Sequence, residues 1–261
     1  MSASQPAPDR LDVAAVAPHP DDLEIMCGGT LAKLAKQGYK VGIFDLTSGE
    51  PTPRGSEETR AQEAEAARKV LGVHLRINIG LPNRVLMDTP ENRFAVATQL
   101  RRWRPTVVIG TAGRTPAASP DHHQGHLLIE AARFYSQLTK WDDRFAGTPP
   151  YRVPHLVYAP FPFDAEQRHW TSTFVIDISD TFEQKLEAIR CYQSQFDADR
   201  FEKLKHTIGG YNITQGSRCG FVYGELFALP HPVGAADLVS LVKGAKGSRS
   251  AVVLPGQEPS R

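Results

Sequence analysis

Three cysteines in 261 residues, Cys27, Cys191 and Cys219, are too few and too scattered for a disulfide framework. No CxxC pair is present to offer a thiolate metal site, and the usage suits a reducing, cytoplasmic setting. Charge of one sign is missing as well. Lys plus Arg number 30 against 29 Asp plus Glu, so no overall field draws nucleic acid or an anionic membrane. The local exception, QLRRWRP at 99–105, reads as the solvated end of a helix. No apolar run reaches the roughly 18 residues of a membrane span, and the N-terminal MSASQPAPDR lacks the apolar stretch of a signal peptide. The expectation is a cytoplasmic protein with neither nucleic acid nor membrane as partner.

What is present is an alternation of short apolar runs with helical patterns. LDVAAVA (11–17), KVGIFDLT (40–47), LRINIGL (75–81), TVVIGTA (106–112), VPHLVYAPF (153–161) and TFVIDIS (173–179) have the length of buried strands. Helices are expected in LEIMCGGTLAKLAKQG, stopped at Gly38, in 56–72, in 89–103 and in 122–138. Thr89 and Pro90 form a good start for the third of these. A fifth, over 180–196, would be capped by Asp180 or Thr181. Strands apolar on both faces that alternate with helices predict a mostly parallel sheet with helices on both faces. Residues 1–10 read as a flexible arm, 11–230 as one domain, and 231–261, rich in Gly, Pro, Ser and charge, as a mobile tail.

Sites in such sheets form beyond the carboxyl ends of the strands. Three loops fall there: His19 to Asp22, residues 47–56, and residues 113–126, the first and last rich in His and Asp. His19 and Asp22 are three apart across a turn that Pro20 stiffens, so both can reach one centre. A third ligand from residues 119–126 would complete a two-His, one-carboxylate site, the pattern of catalytic zinc. Asp21 would then stand beside the metal, where a general base is useful. The plain alternatives stay open: Asp22 can cap the helix that follows, and Ser119-Pro120-Asp121 is a helix start in its own right. His122 and His126 share a helix face at i, i+4, a pair that can itself chelate a metal.

APHPDD before a Gly-Gly helix, then LTSGEPTPRGSEETRAQEA, then SPDHHQGH, resemble in this order the LmbE-like (PIG-L) family of zinc N-acetylglucosaminide deacetylases. FVIDISDTFEQKLEAIRCYQSQF is similar to the bacillithiol-biosynthesis branch, whose members deacetylate N-acetylglucosaminyl malate. The resemblance spans about residues 11–229. It implies a Rossmann-like α/β fold, one zinc per chain, an N-acetylated amino-sugar substrate and a homo-oligomer. Iron(II) also suits such a ligand set. Residue by residue, it implies that His19, Asp22 and His122 bind the metal, that Asp21 is the general base and that Asp121 is its neighbour in the catalytic site. Arg54 would contact the sugar, with Glu50 and Ser119 on the substrate side. Two positions depart from the family: Ser119 stands where a His is common, and Asn83 where Asp is frequent. The missing imidazole makes His126, on the face of His122, the candidate to replace it as proton donor.

Three rivals remain at this level. A phosphoester hydrolase would want more carboxylates and a second metal. A nucleotide-binding module is suggested by Gly28-Gly29, although CGGT is not GxGxxG. A non-catalytic sugar-binding relative is suggested by Ser119.

Overall fold

The computed structural model describes residues 10–163, 172–239 and 241. Its centre is a seven-stranded sheet in the order β3-β2-β1-β4-β5-β7-β6. The parallel part comprises β1 (Val13–Ala17), β2 (Val41–Thr47), β3 (Leu75–Leu81), β4 (Val107–Thr111) and β5 (His155–Ala159). β7 (Gly224–Ala228) runs antiparallel between β5 and β6 (Thr173–Asp177). Every residue of β1 and β2 is buried, as strands covered on both faces require.

The helices are α1 (Asp22–Lys36), α2 (Glu57–Leu71), α3 (Pro90–Trp103), α4 (Asp121–Tyr135), α5 (Phe182–Arg190) and α6 (Ala198–Ser217). Alternate residues of β1 serve opposite cores. Val13, Ala15 and Ala17 pack with α1, α2 and α5, whereas Ala14 and Val16 pack with α3 and α4. Local chemistry sets the helix ends. Ser56 and Thr89 accept the backbone N–H groups of Thr59 and Asn92, and Gly72 closes α2 at φ 70°.

Strand order reverses between β1 and β4, so the carboxyl ends of these two neighbours open one crevice. His19 and Asp22 follow the first strand and His122 follows the fourth.

α1 is interrupted at Cys27 (φ −145°, ψ 20°). The backbone N–H groups of Gly29 and Thr30 donate to the Glu225 carboxylate of β7, at 3.1 and 2.7 Å. Lys185 of α5 reaches the same carboxylate at 2.6 Å, with both side chains fully buried. A Cβ on Gly29 would lie 2.8 Å from Ile178 Cδ1. The glycine pair therefore serves helix packing.

The structure departs from the sequence reading in four places. α6 and β7 were not foreseen; Gly209 and Gly210 inside α6 read as breakers, yet the helix is held by Phe201 and Ile208 in the core and by Asn212 on the Gly224 carbonyl. α5 ends at Arg190, short of 196, because Tyr192 turns inward to Glu24 and Ser194 binds Glu63. Within QLRRWRP, Arg101 is buried at 1% exposure. Its guanidinium donates to the carbonyls of Ser136, Leu138 and Thr148 above the Phe145 ring. Residues 1–9 of the expected arm, and 240 and 242–261 of the expected tail, lie outside the described residues; 231–239 are exposed.

Removing one partner of a buried ion pair strands the other. Lys185→Met should lower the unfolding free energy by about 3–5 kcal/mol in urea titration. An unchanged midpoint would refute the structural role given to this pair.

Candidate active site

β1 ends at Ala17 and the chain turns through Pro18-His19-Pro20 into Asp21. Asp21 sits at φ 120°, ψ −27°, a conformation that non-glycine residues rarely hold and that clusters at functional sites. The turn hands the two adjacent carboxylates to different neighbours. Asp22 Oδ2 accepts the His19 backbone N–H at 2.9 Å and lies 3.2 Å from His19 Nδ1. Asp22 Oδ1 lies 3.3 Å from His122 Nε2. Asp21 instead meets Arg60, whose Nη2 donates to its Oδ2 at 3.1 Å and to the Pro20 carbonyl at 2.6 Å.

His122 reaches this turn because α4 comes unusually close. A Cβ on Gly125 would lie 2.7 Å from Pro18 Cγ, so only glycine permits the approach. Each imidazole also has an outer partner that fixes its ring. His122 Nδ1 lies 2.8 Å from Thr115 Oγ1, and its ring stacks on Phe161. His19 Nε2 lies 3.4 Å from Asp121 Oδ2, which also accepts the Arg84 backbone N–H at 2.6 Å.

Behind the cleft, a buried network holds the acidic end of α1. Arg76 pairs with Asp45 through two contacts at 2.6 and 2.8 Å, and with Glu24 at 2.6 Å. Glu24 accepts the Tyr192 hydroxyl at 3.0 Å, and the Arg60 and Arg76 guanidinia both lie over the Tyr192 ring.

The electrostatics separate the carboxylates. For Asp22, burial favours the neutral acid, but His122 and His19 more than reverse this and hold it well below the usual carboxylate range. For Asp21, burial outweighs the pull of Arg60 and, with repulsion from Asp22, pushes the pKa up to about 7. Burial opposes the His19 imidazolium too, yet Asp22 and Asp121 carry it up to about 10. Two adjacent groups of the same type thus differ in character: one is a firm anion, the other is poised to exchange a proton near neutrality.

One ligand atom each from His19, Asp22 and His122 lies within 4.8 Å of the others, so the trio can hold a metal ion. Tetrahedral zinc with ligands at about 2.0–2.1 Å requires ligand atoms about 3.3 Å apart. The His19–Asp22 and His122–Asp22 separations of 3.2 and 3.3 Å match that spacing. A cation there would displace the imidazole protons that now face Asp22.

Other residues singled out in the sequence fall elsewhere. His126 is not brought into this group: its Nδ1 lies 2.9 Å from the Thr111 carbonyl oxygen and its Nε2 3.7 Å from Glu130. Arg54 is half exposed and committed to Asp197 at 2.7 Å. Glu50 is buried and folds its own loop by accepting from Thr52. Ser119 and Asn83 do line the cleft, a cavity of about 230 Å³ that also presents His19, Asp21, Arg60 and Arg84. Sequence reasoning missed Arg60, Thr115 and Phe161. Arg60 had a signal: it shares the buried stripe of α2 with Glu63, Ala64 and Ala67, and a cation in such a stripe calls for an anionic partner.

A parallel sheet with a two-His, one-carboxylate cluster at its switch point and a second carboxylate beside it defines a metal-hydrolase type of site. Residues 14–133 match the PIG-L family, described as GlcNAc-PI de-N-acetylase. The chain is 30% identical to the diacetylchitobiose deacetylase of Thermococcus kodakarensis over 235 residues, covering 85% of this chain and 84% of that protein. It is also 30% identical to the 4-oxalmesaconate hydratase of Pseudomonas putida over 196 residues, or 69% and 72% of the two chains. The crystal structure of the conserved protein TT1542 from Thermus thermophilus superposes with a TM-score of 0.73 at 35% identity, over 87% of this chain and 97% of that one. The chain belongs to the PIG-L family.

The geometry predicts one divalent ion per chain. Asp22→Ala should abolish binding in elemental analysis. Thr115→Val, which removes the outer partner of His122, should weaken metal affinity by roughly 10- to 100-fold in chelator competition. Full metal content in Asp22→Ala would rule out this site.

Proposed function

We propose that the chain is a metal-dependent N-deacetylase that releases acetate from an N-acetylglucosaminide, zinc being the resident ion and iron(II) the alternative. The observation that carries this reading is the placement of Asp21 in the same cavity as His19, next in sequence to Asp22 but bonded to Arg60. Family membership and the similarity to a named deacetylase support it. The stretch FVIDISDTFEQKLEAIRCYQSQF favours a glycoside such as N-acetylglucosaminyl malate.

In this reading His19, Asp22 and His122 hold the ion, which when bound supplies positive charge to polarise an amide carbonyl and to make water acidic near neutral pH. Asp21 accepts the proton of the attacking water. Its raised pKa keeps the carboxyl basic enough to take that proton and acidic enough to give it back to the departing amine. Arg60 holds Asp21 in place through Pro20 and the Asp21 carboxylate, and Asp121 keeps the His19 ring in register. His126, bonded to Thr111, takes no part in the proton transfer, and Ser119 carries no proton.

Asp21→Asn keeps the size of the side chain but not its basicity. It should retain the metal and cut acetate release by about 10²-fold or more. Equal metal loss in Asp21→Asn and Asp22→Ala would erase the division of labour between them. Wild-type protein loaded with zinc that frees no acetate from any N-acetylglucosaminide would overturn the deacetylase reading. Hydration of an unsaturated dicarboxylate by that protein would point instead to the chemistry named for the Pseudomonas relative.

A further inference from the structure

Next to the metal cleft lies a second cavity, of about 270 Å³. The two share Ser119, which lines both. Thr115 also lines the second cavity while its hydroxyl lies 2.8 Å from His122 Nδ1, so the wall between the cavities is thin on two sides. The cleft of about 230 Å³ is smaller than the roughly 300–1,000 Å³ of small-molecule sites, whereas the joined space falls inside that range. A serine keeps the passage between them narrow-walled and open. An imidazole at 119, common in relatives, would project several more heavy atoms into it.

The charge of the second cavity is one-sided. Arg114 and His123 line it, and no acidic side chain does. His123 Nδ1 is buried with no hydrogen-bond partner. Arg84 stands on the cleft side of Ser119, exposed like Arg114, and neither guanidinium has a partner among the described residues. Elsewhere the exposed arginines beside the cleft are committed, as Arg54 is to Asp197. Unpaired guanidinia bracketing a passage, with a partnerless imidazole nitrogen behind it, suit an anion.

We propose that the cavity bounded by Ser119, Arg114 and His123 is a second substrate subsite, and that it takes an anionic group, carboxylate or phosphate, carried by the aglycone of the sugar. The inference rests on the deacetylase reading above and narrows its substrate class. It separates this chain from an enzyme for a neutral disaccharide such as diacetylchitobiose. Arg114 and Arg84 are specificity-determining residues here, and Ser119 is the opening between the two compartments.

Isothermal titration of the full-length, metal-loaded protein tests this with three glycosides: methyl N-acetylglucosaminide, N-acetylglucosamine 1-phosphate and N-acetylglucosaminyl malate. At least one anionic glycoside should bind about tenfold more tightly than the methyl glycoside, and added salt should reduce the gap. Whether the phosphate or the dicarboxylate gains more identifies the anion. Arg114→Ala should collapse the ratio of anionic to neutral affinity by about tenfold, and Ser119→Leu, which plugs the passage, should do the same with both arginines in place. Equal affinity for all three glycosides in the wild type, or a preference that survives both substitutions, overturns the proposal. Acetate release from the methyl glycoside separates the two levels of the argument. If it proceeds while no anion preference exists, the subsite alone falls; if no glycoside binds or reacts, the deacetylase reading falls with it.

Discussion

Two neighbouring carboxylates, both buried at the end of the first strand, are the constraint around which this molecule is organised. Placing Asp21 and Asp22 side by side in a low-dielectric turn is costly unless each finds its own compensation. The backbone supplies the first part of the answer: the positive φ of Asp21 sends the two side chains to different partners. Asp22 is compensated by two imidazoles from different loops, which is why α4 must approach the β1 turn through Gly125. Asp21 is compensated by Arg60, which ties α2 to the same turn. The next layer continues the logic, with Arg76 answering Asp45 and Glu24. Each buried charge near the crevice is matched by another brought from a separate element, so the site and the packing of α1, α2 and β3 are one problem.

The parts of this arrangement differ in how legible they were. The parallel sheet and its helices could be read because runs such as VAAVA and VGIFDLT are apolar on both faces, which only a doubly covered sheet accommodates. The crevice followed from topology: loops rich in His and Asp after the first and fourth strands meet only if those strands are neighbours. Arg60 stayed hidden because a charged residue on a helix reads as surface until its partner is known. The helix-face argument for His126 was sound in angle and incomplete in distance. Four residues along a helix also advance about 6 Å along its axis, and that displacement leaves the His126 ring with the Thr111 carbonyl rather than Asp22. α6 was obscured by Gly209-Gly210, where tertiary packing overrides propensity.

The C-terminal part of the chain is not an appendage to this site. Glu225, on a strand that the sequence reading did not anticipate, binds the two N–H groups freed where α1 breaks, and Lys185 neutralises it. The interruption lies less than two turns from Asp22 in the same helix. A straight α1 would carry its first turn, and Asp22 and Glu24 with it, along a different axis. The antiparallel β7 thus fixes the direction of the segment that presents the metal ligand. The buried Glu225–Lys185 pair is better understood as a device for that geometry than as a source of net stability.

Similarity to proteins named as a deacetylase and as a hydratase fits a site whose inner chemistry concerns water. A trio that can hold a cation, and a carboxyl whose pKa is held near 7, prepare water for attack whichever electrophile is offered. Nothing in the trio distinguishes an amide carbonyl from a conjugated alkene. That choice belongs to the walls of the crevice, where Ser119, Arg84 and Arg114 are found, and not to the ligands at its floor. A change such as His to Ser at position 119 is therefore not equivalent to the loss of a metal ligand. It removes a proton carrier that Asp21 can replace, while it alters the shape of the wall that selects what approaches the water.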